Sequence, residues 1–385
     1  MTKIKLFTIF IFLTSISFAQ TAPDSLNTNP QNQQNAAQRI LSGNIKTGVT
    51  VGGYGEITYN QPEGENGELD VQRLVLLFGY KFDNKTQFIT EVEFEHVNEV
   101  FVEQAFLQYS ITDNINLRAG LMLVPMGIIN EYHEPTTFNG VERPSVDGSI
   151  VPTTWREIGF GVSGKLDNAS LRYQVYVMNG FASVNGSKVL GGSNGLRNGR
   201  QKGVQSTINK PTFSGKIDHY GIPGLRLGLS GYFGRTQAAQ AVKHIEGSDV
   251  GIAMVGLDAR YSFQRFTARG QFINTTISNS EAYNDLNNAD LGSELRGWYL
   301  ETAYNLLPQT KQQQLIAFAR YEDFDTHSAV AGDLVRNMSY NRDQWTLGLS
   351  YKLAPGAVVK ADYQLKNDAA DTNSNQLNFG IGIWF

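Results

Sequence analysis

The chain contains no cysteine, which removes disulfide staples and all thiolate chemistry, so its stability must come from backbone ladders and side-chain packing. Beyond the amino-terminal run from Leu6 to Ile16 it has no apolar stretch approaching the roughly 18 to 20 residues that a membrane-spanning helix needs. A helical membrane protein is thereby excluded. Charge of one sign is scarce as well: 32 Lys and Arg against 36 Asp and Glu give a formal net charge of -4, with no global basic patch to bind nucleic acid. Histidine is rare, five residues in or beside turns and loops, and none forms an HExxH or other close ligand pair. The glycine-rich stretch from Gly191 to Gly203 lacks the Lys-Ser or Lys-Thr ending of a phosphate loop. The reading therefore assigns no catalytic residues, no cofactor and no metal. His133 with Ser149 as a hydrolytic pair, and His133 with Glu134 as a metal pair, are the alternatives it leaves aside.

What is present is glycine, 39 residues, and aromatics, with 17 Tyr and 22 Phe. Mean hydropathy is only -0.28. The two ends of the chain are more specific. Lys3 and Lys5 precede the short apolar run, and Ser17-Phe18-Ala19 offers small residues where a signal peptidase reads, so residues 1–19 read as a signal peptide and Gln20 as the mature start. At the other end, Leu377, Phe379, Ile381, Ile383 and Phe385 alternate with Asn378, Gly380, Gly382 and Trp384. A strand of period two can show one such face to lipid and the other to a wet interior, and it ends on an aromatic carboxyl terminus. The alternative for this segment taken alone is a half-buried strand of a soluble sandwich.

Residues 20–45, rich in Gln and Asn, show neither apolar period and read as a flexible periplasmic segment. A helix over Ala36 to Leu41 is compatible with the residues there but too short to stand unaided. From residue 46 to 385 alternation recurs. Ile115, Leu117, Ala119, Leu121 and Leu123 alternate with Asn116, Arg118, Gly120 and Met122, and Trp345, Leu347, Leu349, Tyr351 and Leu353 do so with Thr346, Gly348, Ser350 and Lys352. Counting such segments predicts an all-β transmembrane antiparallel β-barrel of about 16 strands. Tight turns at Asp83-Asn84, Asp113-Asn114, Asp167-Asn168, Ile222-Pro223-Gly224, Gln264-Arg265, Pro308-Gln309 and Pro355-Gly356 interleave with long polar stretches at 182–211, 235–249, 277–293 and 325–342. Short periplasmic turns and long external loops predict that parity.

The connection at 125–155 differs from the others, carrying Pro125, Pro135, Pro144 and Pro152, four of the chain's 11 prolines. Proline orders a loop at low entropic cost, so this one is expected to fold inward as a constriction loop rather than lie on the rim.

Gly53-Tyr54-Gly55-Glu56, Asp70-Val71-Gln72-Arg73-Leu74-Val75, Glu91-Val92-Glu93-Phe94-Glu95-His96, Leu123-Val124-Pro125-Met126-Gly127, His133-Glu134-Pro135, Val141-Glu142-Arg143-Pro144 and Pro152-Thr153-Thr154-Trp155-Arg156-Glu157 resemble a Bacteroidetes-type member of the phosphate-selective porin O and P family. The resemblance is specific over about residues 50 to 180 and implies a sixteen-stranded, usually trimeric outer-membrane porin whose third loop folds inward and which passes small anions without energy input. It also implies recognition of terminal Phe385 by the barrel assembly machinery. No phosphate site carries over residue by residue.

Strand parity turns Arg118, Arg172, Arg226, Arg260, Arg269, Arg320, Lys352, Lys360 and Lys366 inward, and Arg73 joins them as a candidate lining of an anion path. Glu91, Glu93, Glu95, Asp258, Glu301, Glu322 and Asp362 share that side, so mutual pairing in a wide channel is the open alternative. The constriction loop supplies Glu131, His133, Glu134, Glu142, Arg143 and Asp147, with Arg156 just beyond it, a set more acidic than basic. The expected function is passive diffusion of small hydrophilic solutes, anions such as phosphate foremost, across a Gram-negative outer membrane as a homotrimer. A weakly selective general pore and an outer-membrane barrel enzyme are the alternatives.

Overall fold

The computed structural model describes residues 30–43 and 47–385. The signal peptide expected at 1–19 lies outside the described residues. The described residues open with helix α1 (Ala36–Leu41) and continue through strands β1 (Gly48–Pro62), β2 (Glu68–Lys81), β3 (Thr86–Glu95), β4 (Glu99–Thr112) and β5 (Ile115–Leu123). After the one-turn helix α2 (Val146–Ser149) come β6 (Arg156–Leu166), β7 (Leu171–Met178), the two-residue strands β8 (Val184–Asn185) and β9 (Lys188–Val189), β10 (Thr212–His219), β11 (Leu225–Arg235), β12 (Gly251–Phe263) and β13 (Phe266–Ser278). Helix α3 (Ser280–Asn287) is followed by β14 (Glu294–Asn305), β15 (Gln314–Ala329), β16 (Asn341–Ala354), β17 (Ala357–Asp368) and β18 (Gln376–Trp384). With β8 and β9 set apart as a small hairpin, the other sixteen strands pair antiparallel and close when β1 meets β18, Tyr54 opposite Trp384 and Asn60 opposite Asn378. Among the described residues no helix is long and apolar enough to cross a membrane; the strands do so.

Alternation fixes what each strand shows outward. On β18, Leu377, Phe379, Ile381 and Ile383 are 39 to 49% exposed while Asn378 between them is fully buried, so the apolar row faces out and the polar row faces the lumen. Trp345, Leu347 and Leu349 on β16 repeat the pattern, with Thr346 and Ser350 buried behind them. An apolar belt of this height would be unsustainable in water and is what lipid requires. Trp298, Tyr321 and Trp345 on neighbouring strands form an outward aromatic ladder with ring centroids 5.4 and 5.0 Å apart, as at a membrane interface. At the seam, the Phe385 amide and carbonyl both bond the backbone of Gly53 at 2.9 and 3.0 Å. A Cβ at residue 53 would stand 2.8 Å from the Phe385 ring, so this position admits only glycine.

The loop parity expected from the sequence holds in part. The turns at 113–114, 264–265 and 355–356 are two residues long, but the connection expected to be tight at Pro308-Gln309 runs from 306 to 313. Three connections at the opposite end, 63–67, 96–98 and 369–375, are short, so long external loops belong to the middle of the chain alone.

One expectation is corrected. Within the segment read as a flexible lead, 20–45, residues 30–43 are tied into the mouth of the barrel at the end that holds the carboxyl terminus. Asn35 and Gln38 make a reciprocal cap at the start of α1, and Ala36 and Ala37 are buried. Gln31 donates to the carbonyls of Tyr220 and Ile222 at 2.7 and 3.0 Å, and Arg172 donates to its carbonyl at 3.0 Å. Arg39 stacks 4.4 Å over the Trp384 ring. Six residues cannot hold a helix alone; here the barrel interior supplies the partners.

Candidate functional site

The connection at 124–155 crosses the lumen. Gly127, at φ +69°, turns the chain inward after β5, and a Cβ there would meet Gln271 Oε1 at 2.7 Å. From that turn on, the wall grips the loop's backbone. Lys216 donates to the Gly127 carbonyl, Gln271 accepts from the Ile128 amide at 2.7 Å, Lys360 donates to the Gly140 carbonyl at 2.7 Å, and Asp362 accepts from the Val141 amide at 2.6 Å. Glu322 accepts from the Val146 amide at 3.1 Å, at the first turn of α2. Apolar residues of the loop, among them Met126, Ile128, Ile129, Phe138, Val146 and Ile150, make a small core inside the barrel. Trp155 anchors the far end by stacking on Phe181 at 4.4 Å and meeting Tyr232 edge-on at 4.6 Å. Held at these points, the loop lies between two lumenal cavities.

The strand cations singled out in the sequence all turn inward, and five of the ten are paired with carboxylates of the same wall. Arg73 bonds Glu56 at 2.7 Å, Arg226 bonds Asp218 at 2.7 Å, and Arg260 lies between Asp218 and Asp258 at 3.5 and 3.6 Å. Arg269 pairs with Glu301 at 2.8 Å, and Arg320, fully buried, bridges Glu322 at 2.8 Å and Glu301 at 3.3 Å. Lys360 sits 3.9 Å over the Phe138 ring. Arg118 is held by Gln108 at 2.8 Å and Tyr176 at 3.2 Å, and Arg172 stacks on Tyr220 as well as holding Gln31. Lys352 lines the cavity beside α1, and Lys366 lines the vestibule on the other side of the loop, bonded to Gln376 at 3.1 Å.

The loop's acids are occupied too. Glu131 pairs with Lys216 at 3.3 Å, and Glu134 accepts the Ala36 amide at the start of α1. Glu142 collects the amides of Asn60, Gln364 and Gln376 at 2.8 to 3.3 Å. Asp147 accepts from Gln271 at 3.0 Å, and burial pushes its carboxyl up to about 7. The Arg156 guanidinium lies 3.7 Å from Glu103. His133 meets Tyr54 and Glu103 rather than open solvent.

Two cavities flank the loop. The one toward the long loops, about 620 Å³, is lined by eight basic residues against six acidic ones. The one beside α1, about 520 Å³, has Arg39, Arg260, Arg269 and Lys352 against Glu301 alone. The upper vestibule contains cations that strand parity could not reveal, Arg197, Arg200 and Lys202 from the 179–211 loop, together with Arg342 at the start of β16, on the inward row of Thr346 and Ser350. Among the described residues none of these, nor Arg143, has an acidic partner within 4 Å. Burial, and then the charge of Arg197 and Arg156, pulls the Arg200 guanidinium down to about 9. Burial followed by its neighbour Arg73 lowers Arg143 in the same sense. Arg197 and Arg200 were missed because the glycine-rich 191–203 stretch reads as a plain external loop; only buried Leu190 and Leu196 hint that it folds back. Glu103 escaped for another reason. A bulge between β3 and β4 shifts the register at Glu91/Val92, so Glu103 and Gln104, successive in sequence, are both buried on the lumenal side.

A barrel closed by sixteen strands and narrowed by one inward loop is porin architecture, and the family model for phosphate-selective porin O and P matches residues 41–375. The chain belongs to that family. This porin is 32% identical over 370 residues to an uncharacterized protein of Aquifex aeolicus (strain VF5), covering 91% of this chain and 82% of that one. Its fold is similar to the anion-selective porin from Comamonas acidovorans, at 12% identity and a TM-score of 0.58, covering 88% of this chain and all of the other. It is also similar to the trimer form of OmpT, an outer membrane protein of Vibrio cholerae, at 12% identity and TM-score 0.54, covering 89% of this chain and 100% of that one. At such identities these likenesses concern the fold. The protein is an outer-membrane porin of the Gram-negative type.

Proposed function

We propose that this porin passes small hydrophilic anions, phosphate among them, by diffusion, and that the loop cations of the upper vestibule set the preference. The observation that carries the reading is that Arg143, Arg197, Arg200, Lys202 and Arg342 crowd one cavity without acidic partners among the described residues, while Arg73, Arg226, Arg260, Arg269 and Arg320 on the strands are paired with wall carboxylates. Like charges held together by a fold lower one another's affinity for protons and raise the affinity of the site for an oxyanion. Guanidinium groups offer paired donors to such an oxyanion. In a narrow passage each close pair is worth roughly 1 to 4 kcal/mol, whereas in a wide lumen salt screens it within about 8 to 10 Å. The paired strand charges favour a second reading, a general diffusion pore of weak selectivity.

The same proposal includes a homotrimer, assembly through recognition of Phe385, and no enzymatic activity. Single-channel reversal potentials across a potassium chloride gradient test the solute preference. An anion-selective potential, with phosphate reducing chloride current, is expected; a cation-selective potential discards the proposal.

A further inference from the structure

We infer that Glu91, Glu103 and His133 form a divalent-cation site, of the zinc or manganese class, that staples the constriction loop to the barrel wall. The three side chains come from β3, from the bulge of β4 and from the loop, and one ligand atom of each lies within 4.8 Å of the others. All three are buried, at 1, 0 and 1% exposure. A metal bound at about 2.0 to 2.2 Å needs ligand atoms no more than about 4.4 Å apart, so closure by a few tenths of an ångström completes the cradle. Tyr54 Oη, 2.8 Å from His133 Nε2 and 3.0 Å from Glu103 Oε2, stands ready as a further oxygen.

The hydrogen-bond count points to a missing positive group. His133 Nδ1 lies 3.2 Å from the Asn130 carbonyl, which can only accept, so the proton sits on Nδ1 and Nε2 presents a lone pair to the cluster. The one hydroxyl proton of Tyr54 then faces two acceptors, Nε2 and Glu103 Oε2, and can serve only one. Glu103 Oε1, on a fully buried carboxylate, has no hydrogen-bond partner at all, and the nearest cation, Arg156, stands 3.7 Å away. Glu91 receives one amide proton, from Gln104 at 2.7 Å. Arg73 is spent on Glu56 and comes no nearer than 4.0 Å to Glu93. Buried carboxylates left this short of donors are costly, and a cation accepting a nitrogen and two carboxylate oxygens removes the deficit. The rival arrangement is a doubly protonated His133 paired with Glu103, 3.3 Å away, which needs no metal.

The test uses full-length untagged protein extracted in detergent, stripped with EDTA, reloaded with zinc or manganese alone, desalted, and assayed for metal content. About one equivalent per chain is expected in the wild type, with at least tenfold weaker retention in His133→Gln and Glu91→Gln and unchanged retention in the exposed-loop control Glu65→Gln. Heat-modifiable migration on gels checks that each variant is a folded barrel; if either variant fails to fold, an anomalous diffraction peak between the three side chains of zinc-soaked wild-type crystals decides. Absence of retained metal in the wild type, equal retention in folded variants, or an empty anomalous map overturns the site in favour of the imidazolium pair.

Discussion

Two sets of cations face the same lumen, and they differ in their company. Those on the strands, Arg73, Arg226, Arg269 and Arg320, are opposed across the ladder by Glu or Asp and spend their charge on the wall. Those on and beside the loops, Arg143, Arg197, Arg200 and Lys202, have no acidic partner within 4 Å among the described residues and line a cavity instead. The difference follows from geometry. Strand residues on one face of neighbouring strands stand within about 5 Å of each other, so an inward Arg finds an inward Glu on the next strand. A loop folded across a void has no such lattice, and its charges stay available to a solute. The strand set accordingly should govern stability and the loop set selectivity.

The largest effect should come from breaking the strand set at its most buried member. Arg320→Met leaves Glu301 and Glu322 buried without their shared cation, which costs about 3 to 5 kcal/mol. The variant should lose heat-modifiable barrel or unfold at markedly lower denaturant, while any barrel that does form keeps its reversal potential within the wild-type range. A large swing in selectivity with normal stability would erase the distinction between the two sets.

Charge reversal of the loop set is the complementary experiment. Arg197→Glu combined with Arg200→Glu should move the reversal potential decisively toward cations. Stability should change less than in Arg320→Met, because neither residue carries an ion pair among the described residues. Both do donate to loop carbonyls, Arg197 to Thr153 and Arg200 to Pro152 and Thr154, so some loosening of the 152–154 backbone accompanies the change. Unfolding in denaturant followed by fluorescence separates that loosening from the electrostatic effect.

How much of this was legible follows the same division. The wall was readable because period two is a local property: from Leu377 to Phe385 the outward and inward faces can be assigned residue by residue, and Arg226 and Arg320, on the inward parity of their strands, are buried. What an inward residue meets is not local. Arg320 lies across the ladder from Thr346 and Glu301, partners fixed by registers that no single strand encodes. The bulge that brings Glu103 inward breaks parity itself, and the docking of residues 30–43 rests on side chains such as Gln31 and Arg172 that are remote in sequence. Proline content did mark the 125–155 loop as ordered, since rigidity, unlike partnership, is written locally.

A smaller effect should come from the segment docked in the barrel mouth. Removing residues 30–43 strips Arg172 of the Gln31 carbonyl and Glu134 of the Ala36 amide, and it opens the lower cavity, to which Arg39 contributes one of four cations. Conductance should rise, with selectivity weakened only modestly because the upper vestibule is untouched. An unchanged conductance would mean that the constriction loop alone limits the current.

The smallest effect is a titration. Asp147 lines the upper vestibule, with Oδ2 lacking a hydrogen-bond partner, and burial raises its carboxyl from the usual 3.8 to about 7. A carboxyl raised on folding binds a proton more tightly in the native state than in the unfolded chain. Its favourable contribution is thus complete below pH 4, declines as pH rises through that window, and is lost above pH 7. The same deprotonation adds a negative charge to the lining that Asp147 shares with Arg143 and Arg342, so anion preference should fall slightly between pH 6 and pH 8. Asp147→Asn keeps an oxygen for the Gln271 amide but cannot ionise, and it should flatten both the stability slope and the selectivity drift. A reversal potential that drifts equally in wild type and Asp147→Asn would transfer the titration to another of the six acidic residues that line the vestibule.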